Sequence, residues 1–128
     1  MPKAHQSFKP TLTDDERAAA RALRLAIEPF YTMRPNVPLS YLRTFLMIAE
    51  EEGLGVNDYA RTGDIAPSVM TRNILDIGSL NRHKEEGLAL VTNDRDPFDL
   101  RKHNVRVTPK GRALVRQWVT VLRSYCKG

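Results

Sequence analysis

"GLGVNDYARTGDIAPSVMTRNILDIG" spans Gly53 to Gly78. Its punctuation predicts two short helices joined by a tight turn. Asn57 can cap the first, over roughly residues 58–62, and Gly63 and Asp64 supply the turn. Pro67 can open the second, because the first helical position needs no amide donor. Met70, Ile74 and Ile77 fall at i, i+4 and i+7, so one face of that second helix belongs to a core. Ser68, Val69, Thr71 and Arg72 then point away from it. Two short helices with the second amphipathic make a helix-turn-helix pattern. Small hydroxyl and methyl groups permit close approach to base edges, and one Arg offers a bidentate fork for guanine or phosphate. The same residues are equally at home on a solvated helix surface.

Downstream, residues 79–86, "SLNRHKEE", read as a polar linker. Arg82, His83 and Lys84 there could meet a phosphate backbone or only solvate a loop. From Leu88, "LALVTND" reads as a strand entering a turn, and residues 104–108 alternate as its returning partner. A helix-turn-helix followed by a two-stranded hairpin is a winged helix. In that arrangement the second helix enters a major groove and the hairpin tip reaches a flanking minor groove, where Arg suits the strong negative potential. Arg101 lies near the centre of the tip, with Arg95, Lys102 and His103 close by. Asp96 and Asp99 cannot contact phosphate; they can shape the turn, and Asp99 can aim Arg101 by an ion pair.

Upstream, Thr13-Asp14-Asp15-Glu16 reads as a capping box with the acids at the favourable helix end. A first helix is expected over residues 14–28, stopping ahead of Pro29. Its apolar positions Ala19, Leu23, Ala26 and Ile27, then Phe30, give one narrow stripe. Pro38 is expected at the first position of a second helix, with Leu39, Leu42, Phe45, Leu46 and Ala49 at helical spacing. Glu50-Glu51-Glu52 runs into Gly53 as a C-cap. A final helix is expected over residues 110–125, with Leu114, Trp118, Val121, Leu122 and Tyr125 on one face. Residues 1–12 read as a flexible arm. Residues 13–128 read as a single winged-helix domain, mainly α with a small β-hairpin.

The 128 residues suit one core. Net charge is +5, and its distribution is uneven. All 15 acids and 12 of the 20 bases precede residue 100; the remaining 8 bases follow it with no acid. Such a one-sided segment is what a polyanion binder presents, and also what a merely soluble surface can carry. No apolar run is long enough to span a membrane and the N-terminus has no apolar signal core, so a cytoplasmic, nucleoid-associated setting is expected. Cys126 is the only cysteine, and His5, His83 and His103 are scattered, so no metal or cofactor is expected. No Ser-His-Asp or Cys-His pattern and no phosphate-cradling Gly loop is present, which argues against an enzyme.

The hairpin "DPFDLRKHNVRVTPKG", residues 96–111, with "YARTGDIAPSVMTR" upstream, resembles the MarR family of winged-helix transcriptional regulators. That family's wing carries Asp-x-Arg, an apolar strand, then Leu-Thr-x-x-Gly. The matching pieces are Asp99-Leu100-Arg101, Val105 to Val107, and Thr108-Pro109-Lys110-Gly111. Ala60 and Arg72 match the customary Ala and Arg of the helix-turn-helix. The resemblance covers residues 38–115 and differs at Asn73, where the family has an apolar residue, and in a longer link from Gly78 to Glu86.

The resemblance implies a bacterial or phage homodimer on pseudo-palindromic duplex DNA. Its DNA-binding core would be residues 38–108 and its dimerisation helices 13–33 and 109–127. Phe30, Tyr31, Trp118 and Tyr125 would lie at that interface, with two recognition helices about 34–36 Å apart. The wing role carries over to Arg101 with Asp99 as its positioner, and the helix contacts to Ser68, Val69, Thr71 and Arg72. Many family members also bind small lipophilic effectors, though no residue here specifies one. The expected function is therefore a sequence-specific, repressor-like DNA-binding regulator. The alternatives are a winged-helix adaptor for a protein partner, suited by Glu50–Glu52 and the 79–86 link, and a non-specific architectural DNA-binding protein.

Overall fold

In a computed structural model, which describes residues 8–79, 87–95 and 103–127, the chain forms five helices and one hairpin. The order is α1 (Asp14–Met33), α2 (Leu39–Glu50), α3 (Val56–Gly63), α4 (Pro67–Ile77), β1 (Val91–Arg95), β2 (His103–Val107) and α5 (Pro109–Lys127). The mainly helical winged-helix class read from the sequence is the class observed.

The capping box at the start of α1 forms. Thr13 Oγ1 accepts from the Glu16 amide at 3.2 Å, and Glu16 Oε1 accepts from the Thr13 amide at 2.8 Å. The helix does not stop ahead of Pro29 but runs through it to Met33. An internal proline costs a helix about 3 kcal/mol, so tertiary contacts must offset it. Phe30 is buried just beyond the proline, Met33 packs on the core, and Trp118 of α5 donates its indole N–H to the Ala26 carbonyl. The expected single apolar stripe also divides. Ala19, Ala22 and Ala26 are half-buried, whereas Leu23 is 68% and Ile27 47% exposed. Small residues let α5 approach closely, and the larger ones are left outside.

Helix α2 is the hub. Phe45 and Ile48 are fully buried, and Phe45 meets Trp118 edge-on with ring centroids 5.7 Å apart. Pro38 is the N-cap rather than the first helical residue, a one-position difference. On α4, Met70, Ile74 and Ile77 all face the core as expected. Asn73 is buried too, and donates through Nδ2 to Thr44 Oγ1 of α2 at 3.2 Å. One turn on, Tyr41 of α2 donates its hydroxyl to the Asp76 carboxylate of α4. The polar residue that departs from the family pattern is thus satisfied by a partner on the facing helix.

The hairpin pairs antiparallel in the register Val91↔Val107 through Arg95↔His103. The strand begins at Val91, not Leu88. Residues 87–90 instead bond back to the end of α4, through Leu90 N to Ile77 O and Ala89 N to Gly78 O, both 2.8 Å. The returning strand is displaced one residue toward the tip from residues 104–108: Thr108 keeps one bond to the facing chain, from its amide to Leu90 O at 3.0 Å, while its side chain caps α5, where the Gly111 amide donates to Thr108 Oγ1 at 3.1 Å. Gly111 is required by contact rather than by backbone angle. A Cβ there would lie 2.4 Å from the Leu90 carbonyl oxygen.

Replacing Asn73 by Leu is expected to cost about 1–3 kcal/mol, because the Thr44 hydroxyl stays buried without its partner. The double variant Thr44→Val, Asn73→Leu should recover most of that loss. A double-mutant cycle of urea denaturation measures the coupling, and additive single-variant losses would contradict it.

Candidate nucleic-acid interface

Helix α3 is fixed at both ends by its surroundings. Its N-cap is Gly55, not Asn57: the Asp58 carboxylate accepts from the Gly55 amide at 3.1 Å and Asn57 is exposed. At its other end Asp64 takes the left-handed conformation, with φ of 53°. Asp tolerates this geometry, so Gly63 is left with another task. A Cβ on Gly63 would press on the Met47 side chain at 3.1 Å, and Arg43 of α2 donates to its carbonyl at 2.8 Å. The turn between α3 and α4 is therefore clamped to α2. Arg43 and Arg61 are both exposed beside this turn. Arg43 becomes visible only when α2 is laid against α3.

Pro67 sits at the start of α4 as expected. Ser68, Thr71 and Arg72 are exposed and Val69 is half-buried, on the side away from Met70, Ile74 and Ile77. The helix therefore offers two hydroxyls and one guanidinium to solvent from a backbone held on its other side. Exposed Leu75 extends that surface by one turn.

The base of the hairpin is more elaborate than two strands. Val105 is bonded on its outer side as well: its amide donates to Leu54 O at 3.0 Å, and its carbonyl accepts from Gly53 N at 2.7 Å. The loop before α3 thus serves as a third short edge. The next outward amide, Val107 N, donates to the Glu52 carboxylate at 2.8 Å. Edge amides left open invite pairing with other chains, and a carboxylate closes this one. Tyr59, buried in α3, knits the same loop by donating its hydroxyl to Glu51 O at 2.6 Å and accepting from Leu54 N at 3.4 Å. The acidic run at 50–52 therefore contributes to the wing's foundation.

Arg95 closes β1 opposite His103. Arg82, Lys84, Asp99, Arg101 and Lys102 lie outside the described residues, as do Asp96 and His83. Nearby, Arg106 lies 3.4 Å from the Asp94 carboxylate, diagonally across the ladder. Of the eight bases after residue 99, five (Lys110, Arg112, Arg116, Arg123 and Lys127) belong to α5. The acid-free segment is thus mostly a helix property.

This is the MarR-type winged-helix fold. A MarR-like transcriptional regulator from Thermotoga maritima superposes with a TM-score of 0.62 at 18% identity, over 94% of this chain and 80% of its own. An S. aureus MepR variant bound to an oligodeoxyribonucleotide gives 0.61 at 16% identity, over 88% and 72%. BpsR of Bordetella bronchiseptica, whose DNA binding is regulated by 6-hydroxynicotinic acid, gives 0.54 at 19% identity, over 90% and 83%. No protein-family model and no curated protein matches the sequence. The likeness to the MarR-type regulators is accordingly one of fold.

Two clefts flank the first turns of α5. One, of about 550 Å³, is lined by Leu25, Pro29 and Met33 of α1 and by Lys110, Ala113 and Leu114 of α5, among others. A second, of about 320 Å³, lies between Met33, Arg34, Gly87, Leu88 and Lys110. Among the described residues no cluster of metal-ligating side chains occurs, and no helix is long and apolar enough to cross a membrane.

Burial raises the Tyr59 phenol above its ordinary value of 10.0, with the backbone bond from Leu54 opposing. The folded phenol holds its proton where the unfolded one has begun to lose it. Its contribution is therefore full below pH 10 and falls as pH rises from there through the raised value. Tyr59→Phe is expected to lower stability at neutral pH by about 1–2 kcal/mol. It should also flatten the alkaline loss, as followed by thermal unfolding from neutral pH to about pH 11.

Proposed function

We propose that the chain is a sequence-specific, double-stranded DNA-binding transcriptional regulator acting as a homodimer. α4 would enter the major groove and the hairpin tip the flanking minor groove. The observation that carries this reading is the division of α4. Its apolar side is locked into the core, while Ser68, Thr71 and Arg72 are exposed together on the other side. A DNA-bound neighbour of the same fold supports it. Phosphate contacts from Arg and Lys would supply most of the affinity, α4 the base readout, and Arg101, aimed by Asp99, the wing contact. Arg82, Lys84, Arg95 and Lys102 would add backbone contacts. Repression, by occupying a promoter, is the simplest action for such a protein.

The homodimer reading draws on side chains that the monomer leaves outside. Leu23, Ile27 and Tyr31 recur at i, i+4 and i+8 on α1 and are exposed, as are Val119, Leu122 and Tyr125 on α5. The interface we propose keeps Tyr31 and Tyr125 of the residues expected from the sequence and adds Leu23, Ile27, Val119 and Leu122. Phe30 and Trp118 are committed to the core, and the Ala seam faces α5 of the same chain. The apolar cleft between α1 and α5 is the place we assign to an effector, by analogy with BpsR.

Selection of bound sites from a random duplex pool, followed by footprinting, tests the DNA reading directly. An architectural protein would enrich no motif, and an adaptor would not be retained on duplex DNA even at low salt. Arg72→Ala is expected to cost about 1–3 kcal/mol on the selected site and to relax preference at one base position. Arg101→Ala should weaken binding to many sequences and lower the salt slope by about 1; equal affinity of that variant and the parent would remove the wing assignment. Ile27→Asp with Leu122→Asp should yield a folded monomer by sedimentation, and an unchanged mass would move the interface elsewhere.

A further inference from the structure

Between α4 and β1 the chain returns as residues 87–90, and this short strap is bonded on two sides. Toward α4, Gly87 N donates to Ser79 O, Leu88 N to Asp76 O, Ala89 N to Gly78 O and Leu90 N to Ile77 O. Toward α5, the Ala89 carbonyl accepts from Thr108 Oγ1 at 2.6 Å and the Leu90 carbonyl from Thr108 N at 3.0 Å. Leu88 and Leu90 are buried on either side of Ala89.

Ala89 carries an unusual backbone, with φ of 58° and no glycine to ease it. An extended residue directs its N–H and C=O to the same side. Ala89 must send one to the end of α4 and the other to the cap of α5, and the left-handed conformation does this. Strained residues persist only where the surroundings over-determine them, and Ala89 is held by bonds on both sides. The Thr108 hydroxyl is the common node, because it donates to Ala89 and accepts from Gly111. Gly111 in turn has no room for a Cβ against Leu90. The end of α4 and the first turn of α5 are thus tied through one residue.

We propose that Thr108 and Ala89 are positioning residues for α4, coupling its C-terminal turn to the N-terminal turn of α5. The strap also walls the smaller cleft through Gly87 and Leu88, while Lys110 lines both clefts. A molecule seated there would press on the same node. The consequence for DNA rests on α4 as the DNA-contacting helix; the coupling itself does not.

Amide hydrogen exchange on the full chain tests the coupling without DNA. Thr108→Val removes the hydroxyl and should speed exchange about tenfold at Leu90 and along the last turn of α4, relative to α3. Thr108→Ser keeps the donor and should restore the parent pattern. Ala89→Gly accepts the left-handed backbone and should behave as the parent, whereas Ala89→Val should reproduce Thr108→Val. Exchange that changes only in the first turn of α5 would overturn the coupling. Affinity of Thr108→Val for the selected duplex should fall about tenfold, with Thr108→Ser unaffected. Accelerated exchange in α4 with unchanged affinity would instead overturn α4 as the DNA-contacting element.

Discussion

The architecture depends on how α4 is held. An 11-residue helix is marginal in water alone, since nucleation is costly and few bonds repay it. Its order comes from the face it buries in the shared core, with α2 and α3 packed alongside. Apolar contact from Met70, Ile74 and Ile77 supplies adhesion but little directionality. The Asn73–Thr44 bond and the Tyr41–Asp76 bond, one turn apart, supply the direction. A shift of α4 along α2 would strand buried polar groups, so the register is set by the cost of leaving them unpaired. That restraint leaves Ser68, Thr71 and Arg72 outside without any need to contribute to folding.

The same economy governs the hairpin. Two short strands are marginal by themselves. Here the loop preceding α3 adds a third edge through Gly53 and Leu54, and Glu52 closes the next amide. Tyr59 then ties that loop to α3. The wing base and the helix-turn-helix therefore share one set of hydrogen bonds. Carboxylates do structural work at Glu16, Glu52 and Asp58, where each accepts from a backbone amide. α5 contains no acid at all. The charge asymmetry of the sequence thus reflects where acids serve as acceptors for backbone amides as well as where bases collect on α5.

Much of this was legible in one dimension. The capping box, Pro67 at the start of α4 and the apolar spacing of Met70, Ile74 and Ile77 are local rules, and these held, whereas the cap expected at Asn57 lies at Gly55. What sequence could not supply was tertiary. Pro29 reads as a stop, because nothing nearby announces that Trp118 will hold the helix just before it and the burial of Phe30 and Met33 the turn beyond it. Leu23 and Ile27 satisfy the same periodicity as Ala26, and only the position of α5 separates an inner stripe from an outer one. Asn73 looks like a defect until Thr44, 29 residues away, is placed opposite. Nothing local announces that the Trp118 ring meets Phe45 edge-on or that its indole N–H bonds to α1. For the candidate site, the exposed side of α4 could be read from the sequence. The clamp by Arg43 and the third sheet edge could not, because each needs a long-range backbone partner.

Proline 29 has a consequence beyond helix length. α1 and α5 run antiparallel: Leu25 to Met33 flank Lys110 to Gln117, and Ala18 to Leu25 flank Val121 to Tyr125. The larger cleft opens where Pro29 faces the start of α5. A helix ending at Glu28 would have left Thr32 and Met33 out of its wall and Met33 out of the core. The continuation of α1 through the proline therefore makes one lip of the cleft. The first turn of α5 makes the other, and that turn begins at the Thr108 cap. The cleft, the cap and the end of α4 are consequently three parts of one packed unit. In that unit α1 bears on the start of α5, and the start of α5 bears on the strap that returns to Ile77 and Gly78.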